Sequence, residues 1–137
     1  MRTSLDTNVL SAVWSKEAGA GRLVAQLGAA RQAGVLLVSG VVYAELLAYP
    51  NATERFVNDF LAETGIVLDL KLQDAVWMEA GRRFARYAAR RRRSREGGEK
   101  RLLADFLVGA HALLQADRLM TLDSRRYKKD FPELGLL

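Results

Sequence analysis

The sequence predicts an α/β domain in which helices flank a mostly parallel sheet, and three observations lead there. Short apolar runs alternate with longer stretches of helical periodicity, which is the pattern of parallel strands joined by crossover helices. The 137 residues fit one ordinary domain, residues 1–137, with enough length to bury a core. Half of the residues are hydrophobic and 27% are charged, a globular balance rather than the apolar-poor composition of a disordered chain.

The first strand is expected at Arg2 to Leu5, although Thr3 and Ser4 stand where a buried central strand is normally apolar throughout. A helix over Gly21 to Ala33 precedes a second strand at Val35 to Ser39. The next helix, Val41 to Ala48, is broken by Pro50 and Asn51, and Thr53 caps the one after it, Thr53 to Glu63. Ile66 to Leu68 reads as a third strand. Leu72 to Arg92 is the longest helical segment, with Val76, Met78, Ala80, Phe84 and Tyr87 as its core positions. Arg95 to Glu99, holding Gly97 and Gly98, reads as a flexible link to a helix over Arg101 to Ala116. Strands at Arg118 to Leu122 and Leu134 to Leu137 complete the sheet. The apolar stretch Ala33 to Tyr49 is shorter than a bilayer span of about 20 residues and contains Glu45, so it reads as core and not as a membrane segment. Met1 to Asp6 has neither a basic nor an apolar leader region, which makes the cytoplasm the expected location.

Cysteine is absent and His111 is the single histidine, so disulfides, thiolate sites and histidine-rich zinc sites are excluded. Any metal must be held mainly by oxygen. Asp6 follows the first strand and Asp123 follows the strand ending at Leu122. In a parallel sheet, ligands bind beyond the carboxyl ends of the strands, so both aspartates face one rim if these strands are neighbours where the strand order reverses. Each alone also reads as a turn residue or helix N-cap. Glu45 and Asp105 interrupt apolar series, Val41 to Leu47 and Leu102 to Val108, and a carboxylate in such surroundings is desolvated unless it reaches a cation, a donor or water. The bland alternative is the polar stripe of an amphipathic helix. Four carboxylates from four separate segments suit a hard divalent cation, and the chemistry that follows is phosphodiester hydrolysis by cation-activated water. Gly109, one turn after Asp105, permits close approach of sheet or substrate. His111 reads as a packed structural histidine.

Charge is unevenly spread. Between Arg86 and Arg101 eight basic residues face two glutamates, so this segment carries more than the whole net charge of +5. A localised basic block points to a polyanion, because neutralising phosphates releases condensed counterions. Arg90, Arg91, Arg92 and Arg93 are the candidates for contact with a phosphate backbone; the alternative is a solvated helix end.

Four segments, LDTN at Leu5 to Asn8, VVYAELL at Val41 to Leu47, LLADFLVGAHALL at Leu102 to Leu114 and LMTLDSRRY at Leu119 to Tyr127, resemble in order and spacing the four motif blocks of VapC-type PIN domains. The resemblance runs over nearly the whole chain, including the ending Phe131-Pro132. It implies a three-layer α/β/α fold in which Asp6, Glu45, Asp105 and Asp123 share one acidic pocket. It further implies that these acids bind Mg2+ or Mn2+ and cut RNA endonucleolytically, with Asn8 and Thr121 organising the pocket. A VapB-like antitoxin that covers the pocket and a homodimer are the partners it implies. A competing reading is a non-catalytic RNA-binding module that uses residues 86–101; crowded acids without metal would repel phosphate and argue against it. A phosphohydrolase with Asp6 as covalent nucleophile would need a second aspartate two residues on, where Asn8 stands.

Overall fold

The structure is a computed structural model describing residues 1–94 and 100–137. In chain order the elements are β1 (Arg2–Leu5), α1 (Thr7–Trp14), α2 (Ala20–Ala33), β2 (Val35–Ser39), α3 (Gly40–Leu46), α4 (Glu54–Thr64), β3 (Val67–Asp69), α5 (Asp74–Ser94), α6 (Leu103–Gln115), β4 (Arg118–Met120), α7 (Ser124–Asp130) and β5 (Gly135–Leu136). The link expected over Arg95 to Glu99 lies outside the described residues.

All strand pairs are parallel, in the order β3-β2-β1-β4-β5. The chain builds outward from β1 through β2 to β3, then crosses back to lay β4 and β5 on the other side of β1. The switch point is therefore the β1–β4 seam, where Leu5 pairs with Met120. With the flanking helices, this is the three-layer α/β/α arrangement the sequence predicts. No described helix is long and apolar enough to cross a membrane.

β1 is fully buried from Thr3 to Leu5, and its two polar residues are satisfied from a distance. Thr3 Oγ1 accepts from Arg118 Nε at 2.9 Å, and Ser4 Oγ lies 3.3 Å from His111 Nδ1. His111, completely buried, also bonds Asp69 through Nε2 at 3.0 Å, so it ties β1 and β3 to α6 as a structural histidine. A buried polar strand costs little when each hydroxyl has a partner.

Differences from the sequence reading have physical reasons. α1 and α7 are additional helices, each of eight residues or fewer and each starting directly after a site aspartate. β4 ends at Met120: Thr121 N still donates to Leu137 O at 3.4 Å, but Leu122 N leaves the ladder for Asn8 Oδ1 at 3.1 Å. β3 lies one residue further on than expected, and α3 stops at Leu46. On α5 the inward residues Val76, Ala80 and Arg83 are spaced by three or four, so Met78 falls on the opposite side and is exposed rather than core. Gly109 marks a close approach indeed: a Cβ there would stand 2.5 Å from the Phe131 ring.

The two flanks of the undescribed segment are anchored to the end of α7. Asp130, buried, is ion-paired to both Arg90 of α5 and Arg101 just ahead of α6. Arg101 stacks over Phe106 and Tyr127 and donates to the Arg126 carbonyl at 3.0 Å. Removing one partner from such a buried pair leaves an unanswered charge, at a cost of about 3–5 kcal/mol.

Candidate active site

The carboxyl ends of β1 and β4 adjoin at the switch point, and the site residues are arranged around that seam. Asp6 caps α1 directly after β1, with its backbone N donating to Met120 O at 3.0 Å. Its Oδ1 accepts from Thr7 N at 2.8 Å and its Oδ2 from the Thr121 hydroxyl at 2.8 Å. The same hydroxyl accepts from Asp123 N at 3.1 Å, so Thr121 fixes both aspartates. Asn8 braces the turn from the α1 side: its Oδ1 accepts from Leu122 N at 3.1 Å, and its Nδ2 lies 3.5 Å from Thr121 Oγ1.

Glu45 arrives on α3, whose first turn is capped by Ser39 at the end of β2. The residue is exposed, yet its carboxylate end is desolvated against Thr7, whose hydroxyl donates to Oε1 at 2.7 Å. Asp105 lies in the first turn of α6, where its Oδ2 accepts from Leu102 N at 3.3 Å. Arg126 of α7 then joins the remaining two acids, at 3.2 Å from Asp123 Oδ2 and 3.9 Å from Asp105 Oδ2. Arg101 Nε stands 3.8 Å from that same Asp105 oxygen.

Electrostatics set the character of the place. Burial pushes the Asp6 carboxyl above the usual range, opposed by the Thr121, Thr7 and Tyr127 hydrogen donors and reinforced by Asp105. Glu45 is likewise raised, first by desolvation and further by Asp6 and Asp105, with Thr7 opposing. These three acids therefore feel one another across the seam. Tyr127 is buried beside them with its hydroxyl toward Asp6, and burial with the Asp6 and Asp105 charges holds it protonated.

Asp6, Glu45 and Asp105 are thus brought within electrostatic reach, and Asp123 is linked to the first through Thr121 and to the third through Arg126. Among the described residues no three acids stand at the spacing of a finished metal site. The donor chemistry nonetheless suits a hard dication: every candidate ligand is a carboxylate, hydroxyl or amide oxygen, and two of the acids are held above their ordinary pKa by burial, with neighbouring acids adding to it. The predicted RNA contacts lie elsewhere. Arg90 is engaged with Asp130, Arg91 is half-buried near Tyr87, and Arg92 and Arg93 are exposed at the end of α5. Sequence reading overlooked Thr7, Arg126 and Tyr127 as members of the site. Arg126 and Tyr127 follow Asp123 by three and four residues, a helical spacing that becomes readable only once α7 is recognised.

No curated protein matches the chain in sequence. Among solved structures, it is similar to a chain of the VapBC2 complex of Rickettsia felis bound to a DNA fragment from its promoter, with a TM-score of 0.74 and 18% identity over 100% of this chain and 98% of that one. It also resembles a chain of VapBC-1 from nontypeable Haemophilus influenzae, with a TM-score of 0.65, 18% identity and coverage of 100% and 97%. A third similar structure is FitAcB of Neisseria gonorrhoeae, with a TM-score of 0.64, 17% identity and coverage of 98% and 96%. At such identities the likeness is one of fold. The sequence pattern of the PIN domain matches residues 4–132, almost the whole length, and the chain belongs to the PIN domain family.

Proposed function

We propose that this protein is a Mg2+-dependent endoribonuclease, with Mn2+ as a substitute, acting as the toxin of a toxin–antitoxin pair. The observation that carries the reading is the gathering of Asp6, Glu45 and Asp105 at the carboxyl edge of the sheet, where burial raises the pKa of Asp6 and Glu45 and the neighbouring acids add to it. Such crowding is tolerable where a dication and a phosphate are received, and unfavourable elsewhere. Asp6, Glu45, Asp105 and Asp123 would hold the cation. When bound, it supplies positive charge to the phosphate and lowers the pKa of water to the point of attack. The chain's own contribution is positioning: Thr7 and Thr121 orient Glu45 and Asp6, and Asn8 holds the turn that carries Asp123. Two of the similar solved structures are VapBC complexes, which supports a VapB-like antitoxin as partner. A homodimer and a cytoplasmic location belong to the same reading.

Purified chain, free of antitoxin, incubated with mixed RNAs and 5–10 mM MgCl2 tests it. Cleavage should appear with the wild type, vanish in chelator, and fall at least a hundredfold in Asp6→Asn and Asp105→Asn, more than outer-shell changes cost. Absence of cleavage across metals and RNA types would refute the proposal. The Arg126 bridge between Asp105 and Asp123 favours a second reading, a non-catalytic RNA binder, because those acids already have a cation. RNA affinity unchanged by chelator, with no products, would select it.

A further inference from the structure

A cavity of about 200 Å3 opens at the end of α7 opposite to Asp123, lined among others by Arg83, Arg86 and Arg90 of α5 and by Lys129, Asp130 and Glu133. It shares no residue with the acidic seam. Its charge is the point of interest, since four cations surround it against two acids.

Both acids are already answered. Asp130 is buried and paired with two guanidiniums, those of Arg90 and Arg101. Glu133 is paired with Arg83, which pulls its carboxyl below the usual range. Arg83 is itself pinned: it is buried, lies 4.6 Å over the Phe131 ring, and donates to Glu79 at 2.8 Å and to the Asp130 carbonyl at 2.8 Å. The floor is therefore an ion network in which each acid is paired with a guanidinium. Arg86 and Lys129 differ. Both are exposed, and among the described residues neither has a carboxylate within ion-pair distance, although Arg86 adds to the pull that lowers the Glu133 carboxyl. Arg86 stands on α5 between Arg83 and Arg90, three residues from one and four from the other, so all three share a face. Lys129 approaches from α7. Two cations from different elements thus converge on a concave, net positive cavity.

We propose that this cavity is a second phosphate site, which takes a backbone phosphodiester of single-stranded RNA neighbouring the one to be cut. The inference rests on the ribonuclease reading above. A phosphodiester offers tetrahedral oxygens that accept from Arg86 and Lys129 together. α7 connects the two places: it spans seven residues, roughly 10 Å. Its Asp123 end lies at the acidic seam and its Lys129 end at the cavity. A strand whose reactive phosphate is at the seam therefore passes the cavity with the next part of its backbone. Contacts to phosphate alone carry no base information, so the site adds affinity and register but no sequence preference.

The test is the double variant Arg86→Gln/Lys129→Gln, with Arg22→Gln/Lys71→Gln as a control of equal charge change at exposed positions on other parts of the surface. Neither pair removes a described ion pair, so circular dichroism and melting should match the wild type. Anisotropy of a labelled single-stranded RNA 12-mer is read in chelator, for two unrelated sequences. The cavity variant should bind both sequences about five- to tenfold more weakly, and the slope of log K against log salt should lose roughly 0.7 per phosphate contact removed. With Mg2+, KM should rise by a similar factor while kcat holds, as for uniform binding. The control pair should stay within about twofold of wild type. Wild-type affinity and slope in the cavity variant, with cleavage intact, overturn the second site and leave the ribonuclease reading standing. An equal loss in the control pair assigns the effect to net charge and overturns it too. Tighter binding of a hexaglutamate peptide than of RNA, abolished in the cavity variant, gives the cavity to an acidic peptide instead. A wild type that neither binds nor cuts RNA refutes the ribonuclease reading itself.

Discussion

Asp6→Asn separates service to a cation from service to the fold. The side chain is nine-tenths buried, and its charged form is disfavoured by that burial and by Asp105. Asparagine keeps the shape and keeps Oδ1 as acceptor for Thr7 N. Its Nδ2, however, faces the Thr121 hydroxyl that donates to Asp6 at 2.8 Å, and that oxygen already accepts from Asp123 N at 3.1 Å. One hydrogen bond is therefore weakened, a loss of about 1 kcal/mol. Removing a desolvated, repelled charge works in the opposite direction, so the two effects nearly cancel. Without metal, the variant should melt within about 5 °C of the wild type. With Mg2+ at ten times its Kd the wild type should gain about 1.4 kcal/mol, and Asp6→Asn almost none. The pH dependence has a definite sign. Asp6 and Glu45 have folded pKa values raised above 3.8 and 4.5, so between those values and the raised ones the native state binds more protons than the unfolded state. Their contribution to stability is present at low pH and is lost as pH rises through the raised values. Metal-free wild type should become more stable as pH falls through the raised values, and Asp6→Asn less so. Differential scanning calorimetry in chelator and in Mg2+ measures each part. A loss above about 3 kcal/mol in the metal-free variant, or equal stabilisation of both proteins by Mg2+, would refute the reasoning.

Arg126→Gln should tighten divalent-cation binding. Its guanidinium is 29% exposed at 3.2 and 3.9 Å from Asp123 and Asp105, so the competing interaction is worth at most about 1 kcal/mol, or about fivefold in Kd; Mn2+ titration calorimetry that showed weaker binding would make Arg126 a helper of the site and not a competitor. Gly109→Ala should cost about 1–3 kcal/mol, because the new Cβ would come within 2.5 Å of a fully buried Phe131 ring. Urea denaturation measures it, and a wild-type midpoint would show that the ring shifts freely.

How far the sequence could be read depended on the range of the interaction that decides each feature. β1 and β2 were legible to the residue because their limits are local, set by Asp6 and Gly40 with the apolar runs before them. The polar pair Thr3 and Ser4 was puzzling in the sequence because its partners, Arg118 and His111, lie more than a hundred residues away. α1 and α7 went unread because seven or eight residues hold too few turns for periodicity to show. Met78 was misplaced because being apolar and nearby differs from sharing an angle on a helix; two residues turn roughly 200° around the axis.

At the site, the rim position of Asp6 and Asp123 followed from strand ends alone, and the bracing between acids did not. That bracing has a regular form. Thr7 is the neighbour of Asp6 but holds Glu45, and Thr121 lies two residues from Asp123 but holds Asp6. Arg126, on the helix that Asp123 starts, reaches across to Asp105. Asp6, Glu45 and Asp105 are thus each reached by a donor from another acid's segment, whereas the Asp123 carboxylate meets Arg126 of its own. Repelling carboxylates cannot orient one another, since each is pushed toward solvent; hydroxyl and guanidinium donors from the adjoining segment can fix them, because every donor gains from the charge it approaches. The short blocks around Asp6 and Asp123 consequently act as paired units, an acid together with the donor for a different acid, and displacing either block disturbs two carboxylates at once.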